Sequence, residues 1–408
     1  MPDRRDRDAT RRETSMIAAK GKVKLLDGNA AAACGALLCK PDVIAGYPIT
    51  PQTSILEHLH RFRADGLLDA EIINTEGEHS ALSVLTGVSA AGGRTFTATS
   101  GQGLAFMYEP YHMASTLRLP IVMVLVTREM DVTVTAGEQD AIGVRDAGWI
   151  QIYVESCQEI LDSIIMAYKV AEAPEVLLPL NVCYDGFYLS HLSERVEIPA
   201  QEDVDNFLPP LKKQNRLDPE SPMHLCIGIP PPLLTEARYK QCAAFQTAKQ
   251  KIDQVDREFY RIFGRSYGGL IEEYRLEDAQ IVLVAMGSCA GTVKVVVDKK
   301  RETGLKVGLV KVRVLRPFPH ERLAHVLRGK KGIGVIDRNV CFGWNRGTLA
   351  MELESALRSA DALMPVVSFI DGLAGSDITV EHIERAVDIT SKAAQGIATK
   401  EAVWLALD

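Results

Sequence analysis

Short apolar runs alternate with amphipathic segments along most of the chain. Residues 121–127 are continuously apolar and rich in β-branched side chains, which is typical of a strand buried on both faces of a parallel sheet. Further strands are predicted at residues 23–26, 43–45, 70–74, 95–99 and 176–181. Helices are predicted between them, at residues 27–40, from Pro51, and at 75–88, 104–117 and 158–173. This alternation predicts a doubly wound α/β fold with a parallel sheet.

The pattern breaks around residues 199–232, where several prolines punctuate a mostly polar segment. A long charged helix is predicted after it, at residues 235–262, and a second, smaller α/β unit follows. Its strands are predicted at residues 279–285, 307–314, 334–336 and 366–370, and its helices at 292–303, 320–326 and 346–359. We therefore expect a first domain at 21–234, a connecting helix at 235–274 and a second domain at 275–408. Residues 1–20 are predicted to be a disordered extension, because charges of both signs dominate it.

Composition narrows the class of protein. The 408 residues carry a net charge of −7, which gives no general attraction for nucleic acid, and the apolar runs are too short for a membrane span. None of the eight cysteines forms a Cys-x-x-Cys pair, so we expect neither a zinc site nor an iron–sulfur cluster on this chain. A cytoplasmic location is expected, because no signal peptide is recognisable.

The motif GYPITPQT at residues 46–53 joins the strand at 43–45 to the helix expected from Pro51. Thr50 stands directly before Pro51, so its hydroxyl is expected to cap that helix. An ordinary helix N-terminus is enough to explain the Thr50-Pro51 pair. Turns at the carboxyl ends of strands are also where ligands bind in open α/β sheets, so the motif is a candidate binding site.

The same motif resembles the N-terminal signature of the α chain of 2-oxoacid:ferredoxin oxidoreductases. Further segments extend the resemblance in the same order: EGEHSA at 76–81, TFTATSGQGL at 95–104, the 119–128 strand ending in Arg128, GEQD at 137–140, RDAGW at 145–149 and DGFYLSH at 185–191. VLRPFP at 314–319 is similar to the family's domain that resembles the transketolase C-terminal domain. The resemblance implies a thiamine-diphosphate-binding domain of the pyrimidine type, followed by a smaller transketolase C-terminal-like domain.

This family decarboxylates 2-oxoacids oxidatively with thiamine diphosphate and coenzyme A, and electrons leave through iron–sulfur clusters to ferredoxin or a related acceptor. Pyruvate is the default substrate, while branched or aryl 2-oxoacids such as 2-oxoisovalerate and phenylglyoxylate are alternatives. The sequence has no Gly-Asp-Gly motif for a diphosphate-bound metal. The resemblance therefore implies that thiamine diphosphate is shared with a β subunit that carries the magnesium site, and that γ and δ subunits complete an iron–sulfur complex.

Glu78 is, by match to the family motif, the carboxylate that hydrogen-bonds the aminopyrimidine ring of thiamine and favours its imino form. Glu76 is a weaker alternative for this role. A structural explanation is also open, because Thr75-x-x-Glu78 fits a capping box at the start of a helix.

Arg128 follows a predicted strand directly, and its guanidinium matches a carboxylate with two parallel hydrogen bonds. The resemblance makes it the group that binds the substrate carboxylate, although arginines after strands are commonly solvated or in surface ion pairs. Thr50 is expected to touch the oxoacid. Pro48, Ile49 and Gln102 are expected to line the cofactor, and a plain tight turn explains Gln102 nearly as well.

The sequence leaves two other functions to consider. The chain could be a noncatalytic scaffold that keeps the fold and only holds partners, but Glu78, Thr50 and Arg128 are all present. It could instead be a self-sufficient α/β enzyme without thiamine, but no nucleophile–base set and no clean nucleotide-binding motif is discernible.

Overall fold

The computed structural model describes residues 22–131, 134–212, 216–225 and 228–407. The extension predicted at residues 1–20 lies outside the described residues. The strands are β1 Lys22–Leu26, β2 Val43–Gly46, β3 Glu71–Asn74, β4 Thr95–Thr99, β5 Val122–Thr127, β6 Ile150–Tyr153, β7 Leu180–Asp185, β8 Glu194–Ile198, β9 Ile271–Tyr274, β10 Ile281–Ala285, β11 Val307–Val312, β12 Val314–Arg316, β13 Gly332–Asp337, β14 Val366–Ile370 and β15 Ala402–Trp404.

Helices follow most of these strands. They are α1 Gly28–Cys39, α2 Thr53–Ala64, α3 Glu78–Ala90, α4 Gly101–Phe106, α5 Tyr108–Thr116, α6 Gln139–Gly143, α7 Cys157–Ala171, α8 Tyr188–His191, α9 Gln201–Phe207, α10 Pro231–Phe263, α11 Cys289–Glu302, α12 His320–Leu327, α13 Thr348–Ser359 and α14 Val380–Ala393, with a short 3₁₀ helix at Leu373–Gly375. Within the described ranges, each helix is too short or too polar to traverse a lipid bilayer.

The larger sheet has seven strands in the order β12-β6-β7-β5-β4-β2-β3. All neighbours are parallel except β12, which runs antiparallel to β6. The apolar run at residues 121–127 provides β5, a fully buried inner strand, as predicted. This parallel order confirms the predicted doubly wound α/β class. The strand predicted at residues 23–26 is present as β1, which pairs with β8 in a separate antiparallel ribbon.

The smaller sheet has six strands in the order β15-β14-β13-β10-β11-β9, parallel except for β9. The single strand predicted at residues 307–314 is wrong, because the chain leaves this sheet after β11 and joins the larger sheet as β12. Arg313, at the crossing, is buried and donates to Glu159 of α7 at 2.8 Å. In sequence β12 lies within the predicted domain at 275–408, but it pairs with a strand of the larger sheet. The domain boundaries therefore remain a prediction.

Two further expectations need correction. The strand predicted at residues 176–181 begins only at Leu180, because a turn at residues 174–176 and an irregular segment at 177–179 precede β7. The helix predicted at residues 104–117 is two helices, α4 and α5, with Met107 between them. Because α4 already begins at Gly101, the turn expected at 100–103 is largely helical.

Candidate active site

The carboxyl ends of β2, β4 and β5 meet at one edge of the larger sheet, and the loops after them carry the predicted site residues. The turn after β2 does not form the expected N-cap. The helix α2 begins at Thr53, after Gln52, and Thr50 precedes it by too much to cap it. Instead, the turn is held by buried polar side chains. Because these side chains fix its backbone, the turn projects in one conformation over the end of the sheet.

Asn29 holds this turn from below. Its side-chain amide donates to the carbonyl of Pro51 at 2.7 Å, and its own oxygen accepts the hydroxyl hydrogen of Tyr184 at 2.7 Å. The fully buried Gln52 donates to the carbonyl of Tyr47 at 2.8 Å. Sequence reasoning placed Asn29 only at the start of a helix, because its contacts lie on segments distant in sequence.

We use the word cleft for the region where the turn after β2, the start of α3, the start of α4 and Arg128 come together, and Pro48, Ile49 and Thr50 lie in the turn that borders it. Pro48 and Thr50 are exposed and Ile49 is half-buried. Gln102 is exposed as well, and its amide donates to the carbonyl of Asp131 at 2.6 Å. In this chain the side chain of Gln102 is therefore directed toward the loop after β5, while the glycines beside it face the cleft.

Arg128 directly follows β5 and is only 5% exposed. Its guanidinium Nη1 donates to the carbonyl of Thr50, while its Nε has no hydrogen-bond partner among the described residues. The side chain packs over Gly101, where an added Cβ would lie 2.1 Å from Nε. Burial lowers the pKa of Arg128, and the nearby Asp140 and Glu78 oppose this. A buried guanidinium with a free donor favours an anion.

Glu78 is the first residue of α3 and is 5% exposed. The capping box is absent, because the hydroxyl of Thr75 donates to the carbonyls of Gly77 at 3.0 Å and Gly46 at 3.3 Å instead of accepting from the helix. Glu76 is exposed and accepts the hydroxyl hydrogen of Ser80. Glu78 is therefore the carboxylate that is available within the cleft.

Glu78 and Arg128 share one cleft. A Cβ at Gly103 would lie 2.4 Å from Oε1 of Glu78 and 2.5 Å from the hydroxyl of Thr99, so the carboxylate fills the space that this glycine leaves. Burial raises the pKa of Glu78, and the positive charge of Arg128 partly offsets this. The structure thus brings together Thr50, Glu78 and Arg128.

Comparison with known proteins identifies the family. Residues 34–257 match the family described as pyruvate flavodoxin/ferredoxin oxidoreductase, thiamine diphosphate binding, and residues 279–383 match pyruvate:ferredoxin oxidoreductase core domain II. The chain belongs to the pyruvate:ferredoxin oxidoreductase family. The family resemblance, the two-part fold and the enzyme class predicted from the sequence are therefore confirmed.

Several curated members of this family are similar over nearly their full length. The α subunit of NADH-dependent phenylglyoxylate dehydrogenase of Aromatoleum evansii is 46% identical, over 95% of this chain and 95% of its own. Pyruvate synthase subunit PorA of Methanothermobacter thermautotrophicus is 47% identical, over 94% and 98%. Ketoisovalerate oxidoreductase subunit VorA of Pyrococcus horikoshii is 44% identical, over 93% and 97%.

Solved structures support the fold of this pyruvate:ferredoxin oxidoreductase family member. 2-Oxoglutarate:ferredoxin oxidoreductase of Magnetococcus marinus matches with a TM-score of 0.70 and 20% identity, over 91% of this chain and 65% of that one. A split-gene transketolase matches with a TM-score of 0.52 and 12% identity, over 90% of this chain and 99% of that one. At these identities the likeness concerns the fold alone.

The cleft of this family member suits one end of thiamine diphosphate. A buried carboxylate such as Glu78 is the partner that a protonated ring nitrogen requires, and Gly103 leaves room beside it. In residues 22–131, 134–212, 216–225 and 228–407, no group of three or more His, Cys, Asp or Glu side chains is arranged to hold a metal ion.

Asp140 is a site residue that sequence reasoning did not single out. Its buried carboxylate accepts the backbone N–H groups of Gly101 at 2.9 Å, Arg128 at 3.1 Å and Ala141 at 2.7 Å. Burial raises the pKa of Asp140 to about 7 although these donors lower it. The signal available in the sequence was the GEQD string at residues 137–140, which was used for the resemblance but given no role.

Proposed function

We propose that this chain is the α subunit of a complex that converts a 2-oxoacid and coenzyme A to an acyl-CoA and CO₂, releasing two electrons to ferredoxin or a related acceptor. The observation that carries this proposal is the buried Arg128, whose unpaired Nε lies in the same cleft as Glu78. The relatives' names support the reaction class, since they are subunits of 2-oxoacid oxidoreductases.

Arg128 would bind the carboxylate of the oxoacid. Its Nη1 is occupied by the carbonyl of Thr50, while its buried Nε has no partner among the described residues, so the guanidinium keeps donor capacity for a carboxylate. Thr50 is exposed and contacts Arg128 through its carbonyl, and its hydroxyl would donate to the 2-oxo oxygen. Together these groups would fix both polar ends of an oxoacid and leave its side group free.

Glu78 would hold the aminopyrimidine ring of thiamine diphosphate, with Pro48, Ile49 and Gln102 around the cofactor. When bound, thiamine diphosphate supplies the carbon nucleophile that makes decarboxylation possible. Glu78 would exchange a proton with the ring nitrogen at its carboxylate, and burial raises the pKa of that carboxyl. The cofactor-binding role assigned to these residues therefore rests on one buried carboxylate and the turn that borders the cleft.

We assign the remaining cofactors to partner chains. The sequence has neither a Gly-Asp-Gly motif nor a Cys-x-x-Cys pair, so the magnesium and diphosphate site would lie on a β subunit and the iron–sulfur clusters on γ and δ subunits. Seven cysteines in the described ranges are free thiols, which suits a reducing cytoplasm. Coenzyme A would enter as a co-substrate.

Pyruvate is the default substrate, and 2-oxoisovalerate and phenylglyoxylate are the alternatives. Relatives named for pyruvate, ketoisovalerate and phenylglyoxylate are 44% to 47% identical to this chain, so overall identity does not choose among them. The clamp formed by Arg128 and Thr50 would bind the group that all three acids share.

The test is anaerobic co-production of this chain with its partner chains, followed by assay of the three oxoacids with coenzyme A and ferredoxin. We expect one oxoacid to yield its acyl-CoA with the highest kcat/KM. A fully loaded complex that is inactive with all three acids would favour the noncatalytic scaffold.

The isolated chain provides the control for the partner assignment. Calorimetry with magnesium and thiamine diphosphate should show only weak binding to this chain alone. Tight, magnesium-dependent binding would show that this chain holds the diphosphate itself.

A further inference from the structure

Two loops of the cleft are joined through one carboxylate. Oδ2 of Asp140 accepts the N–H of Gly101, at the start of α4, and the N–H of Arg128, directly after β5. Its other oxygen accepts the N–H of Ala141. The two segments that it joins follow neighbouring parallel strands, whose pairing ends at Thr99 and Leu125, so Asp140 ties them together beyond the end of the ladder.

The separation of these segments decides where the guanidinium of Arg128 lies. Gly101 has φ of +47°, and a Cβ there would collide with Nε of Arg128, so the side chain rests directly on the glycine backbone. A shift of Gly101 relative to Arg128 would move the guanidinium away from the carbonyl of Thr50. Placement errors of about 1 Å are enough to weaken a bound or reacting geometry markedly.

Asp140 is itself held in place. It lies in the short helix α6, and the side-chain amide of Gln151 in β6 donates to the carbonyl of Ala141 at 2.9 Å. Asp140 is 3% exposed. The helix that carries the carboxylate is thus held by a strand two positions away in the same sheet, and both carboxylate oxygens accept backbone N–H groups.

We propose that Asp140 is a positioning residue, whose carboxylate clamps the backbones of Gly101 and Arg128 so that the guanidinium meets the carboxylate of the oxoacid. This inference rests on the proposed function in one respect only, the role of Arg128 toward substrate. The clamp itself is a property of the chain.

Asp337 offers a matched control. Its buried carboxylate also accepts two backbone N–H groups, those of Leu349 at 2.8 Å and Ala350 at 3.1 Å. These donors lie at the start of α13 in the smaller sheet unit, away from Arg128. Replacing Asp337 therefore removes the same kind of contact, and neither of these backbone donors is one that Asp140 binds.

The first measurement is steady-state kinetics of the assembled complex with Asp140→Asn. Asparagine keeps the shape but loses the negative charge, and its NH₂ group must face either the N–H of Ala141 or the two clamped N–H groups, so the clamp is weakened. We expect KM for the oxoacid to rise about tenfold while KM for coenzyme A stays unchanged, since a lost hydrogen bond to a charged group has an effect of this order. Asp337→Asn should lower the melting temperature and leave both KM values unchanged.

The second measurement is amide hydrogen exchange without substrate, which does not depend on the proposed function. Asp140→Asn should accelerate exchange at Gly101 and Arg128, and Asp337→Asn should not. Accelerated exchange with an unchanged KM, together with an unchanged KM in Arg128→Lys, would leave the clamp standing and remove the substrate role of Arg128. Unchanged exchange would overturn the positioning role, whatever happens to KM.

A second variant, Asp140→Glu, provides the test if the complex with Asp140→Asn does not assemble. Asp140→Glu keeps the charge but moves the carboxylate by one methylene, so it should also raise KM for the oxoacid and accelerate exchange at the two amides. Wild-type values for both quantities in Asp140→Glu would overturn the proposal.

Discussion

The carboxyl edges of the two sheets carry similar residues but use them differently. In the larger sheet, Arg128 follows β5 and has no carboxylate within ion-pair distance among the described residues. In the smaller sheet, Arg338 follows β13 and forms an ion pair with Asp185. Both arginines are buried, so burial alone does not distinguish them. What distinguishes them is whether the charge already has a partner of opposite sign.

The edge of the smaller sheet serves to join the two units. Asp185 lies at the end of β7 in the larger sheet, and besides Arg338 it binds the N–H of Ser288 at 3.2 Å, just before α11. Within the smaller unit, His382 of α14 binds Asp371 at 2.9 Å. Edges with the same topology can therefore become a binding site or an internal contact, depending on which charges remain unmatched.

Glu78→Gln, at the edge of the larger sheet, should change a measured rate more than any other variant. Glutamine keeps size and polarity, so the fold should persist, but the ring of the cofactor would lose its anionic partner. We expect deuterium exchange at C2 of thiamine in the assembled complex to slow by about 10²- to 10⁴-fold, the range typical of lost acid–base catalysis. Glu76→Gln, at an exposed neighbour, is the control and should exchange at the wild-type rate. Wild-type exchange in Glu78→Gln would remove the catalytic assignment.

Arg128→Lys should have the second largest effect, on KM for the oxoacid. Lysine keeps the charge but loses the planar pair of donors, so KM for the oxoacid should rise about ten- to a hundredfold, as expected for hydrogen bonds between charged groups. KM for coenzyme A should stay unchanged, which provides an internal control. Unaltered kinetics with the oxoacid would contradict the carboxylate role.

Gly103→Ala and Gly347→Ala compare the two edges directly. A Cβ at Gly103 would meet Glu78, and a Cβ at Gly347 would meet Asp337 at 2.1 Å, so both changes displace an acidic side chain. Each overpacked site should cost about 1–3 kcal/mol in the free energy of unfolding. Only Gly103→Ala should also reduce kcat in the folded complex. Equal loss of activity in both variants would mean that the two edges do not differ in function.

The smallest expected effect is on the pH dependence of stability. Burial raises the pKa of Glu138, Asp140 and Asp337 to about 7. Between roughly pH 4 and 7 these carboxyls keep protons in the folded state that the unfolded chain releases, so the free energy of unfolding should fall as the pH rises. Asp337→Asn should make this slope of melting temperature against pH shallower. The exposed Asp65→Asn should not change it, and a slope unchanged by Asp337→Asn would contradict the raised pKa.

The site was predictable from sequence where local pattern decides the structure. The apolar run of β5 fixes where the strand ends, and Arg128 is the next residue, so its position at the sheet edge could be predicted. The capping box could not be excluded in the same way, because the hydroxyl of Thr75 is drawn to the carbonyl of Gly46 in another strand. The local sequence pattern gives no information about this carbonyl, which lies in a different segment of the chain.

Long-range contacts account for the rest of what was missed. Asp140 acts on Gly101, which lies 39 positions away in the chain, so its three contacts leave no periodic signal. The segment from Val307 to Arg316 alternates like one strand, and the switch between sheets depends on Arg313 reaching the buried Glu159, 154 positions earlier. The predicted fold class survived these errors because it depends only on the alternation of strands and helices.

The position of β12 has a consequence for how the protein can be made and divided. β6 receives its outer neighbour only from Val314 and Arg316, far along the chain. A ribosome must therefore synthesise most of the polypeptide before the larger sheet is closed on that side, and until then β6 presents unpaired N–H and C=O groups. A fragment that ends before β12 would leave this edge of β6 unpaired. The two units, although separate in sequence, should therefore be expressed together as one chain.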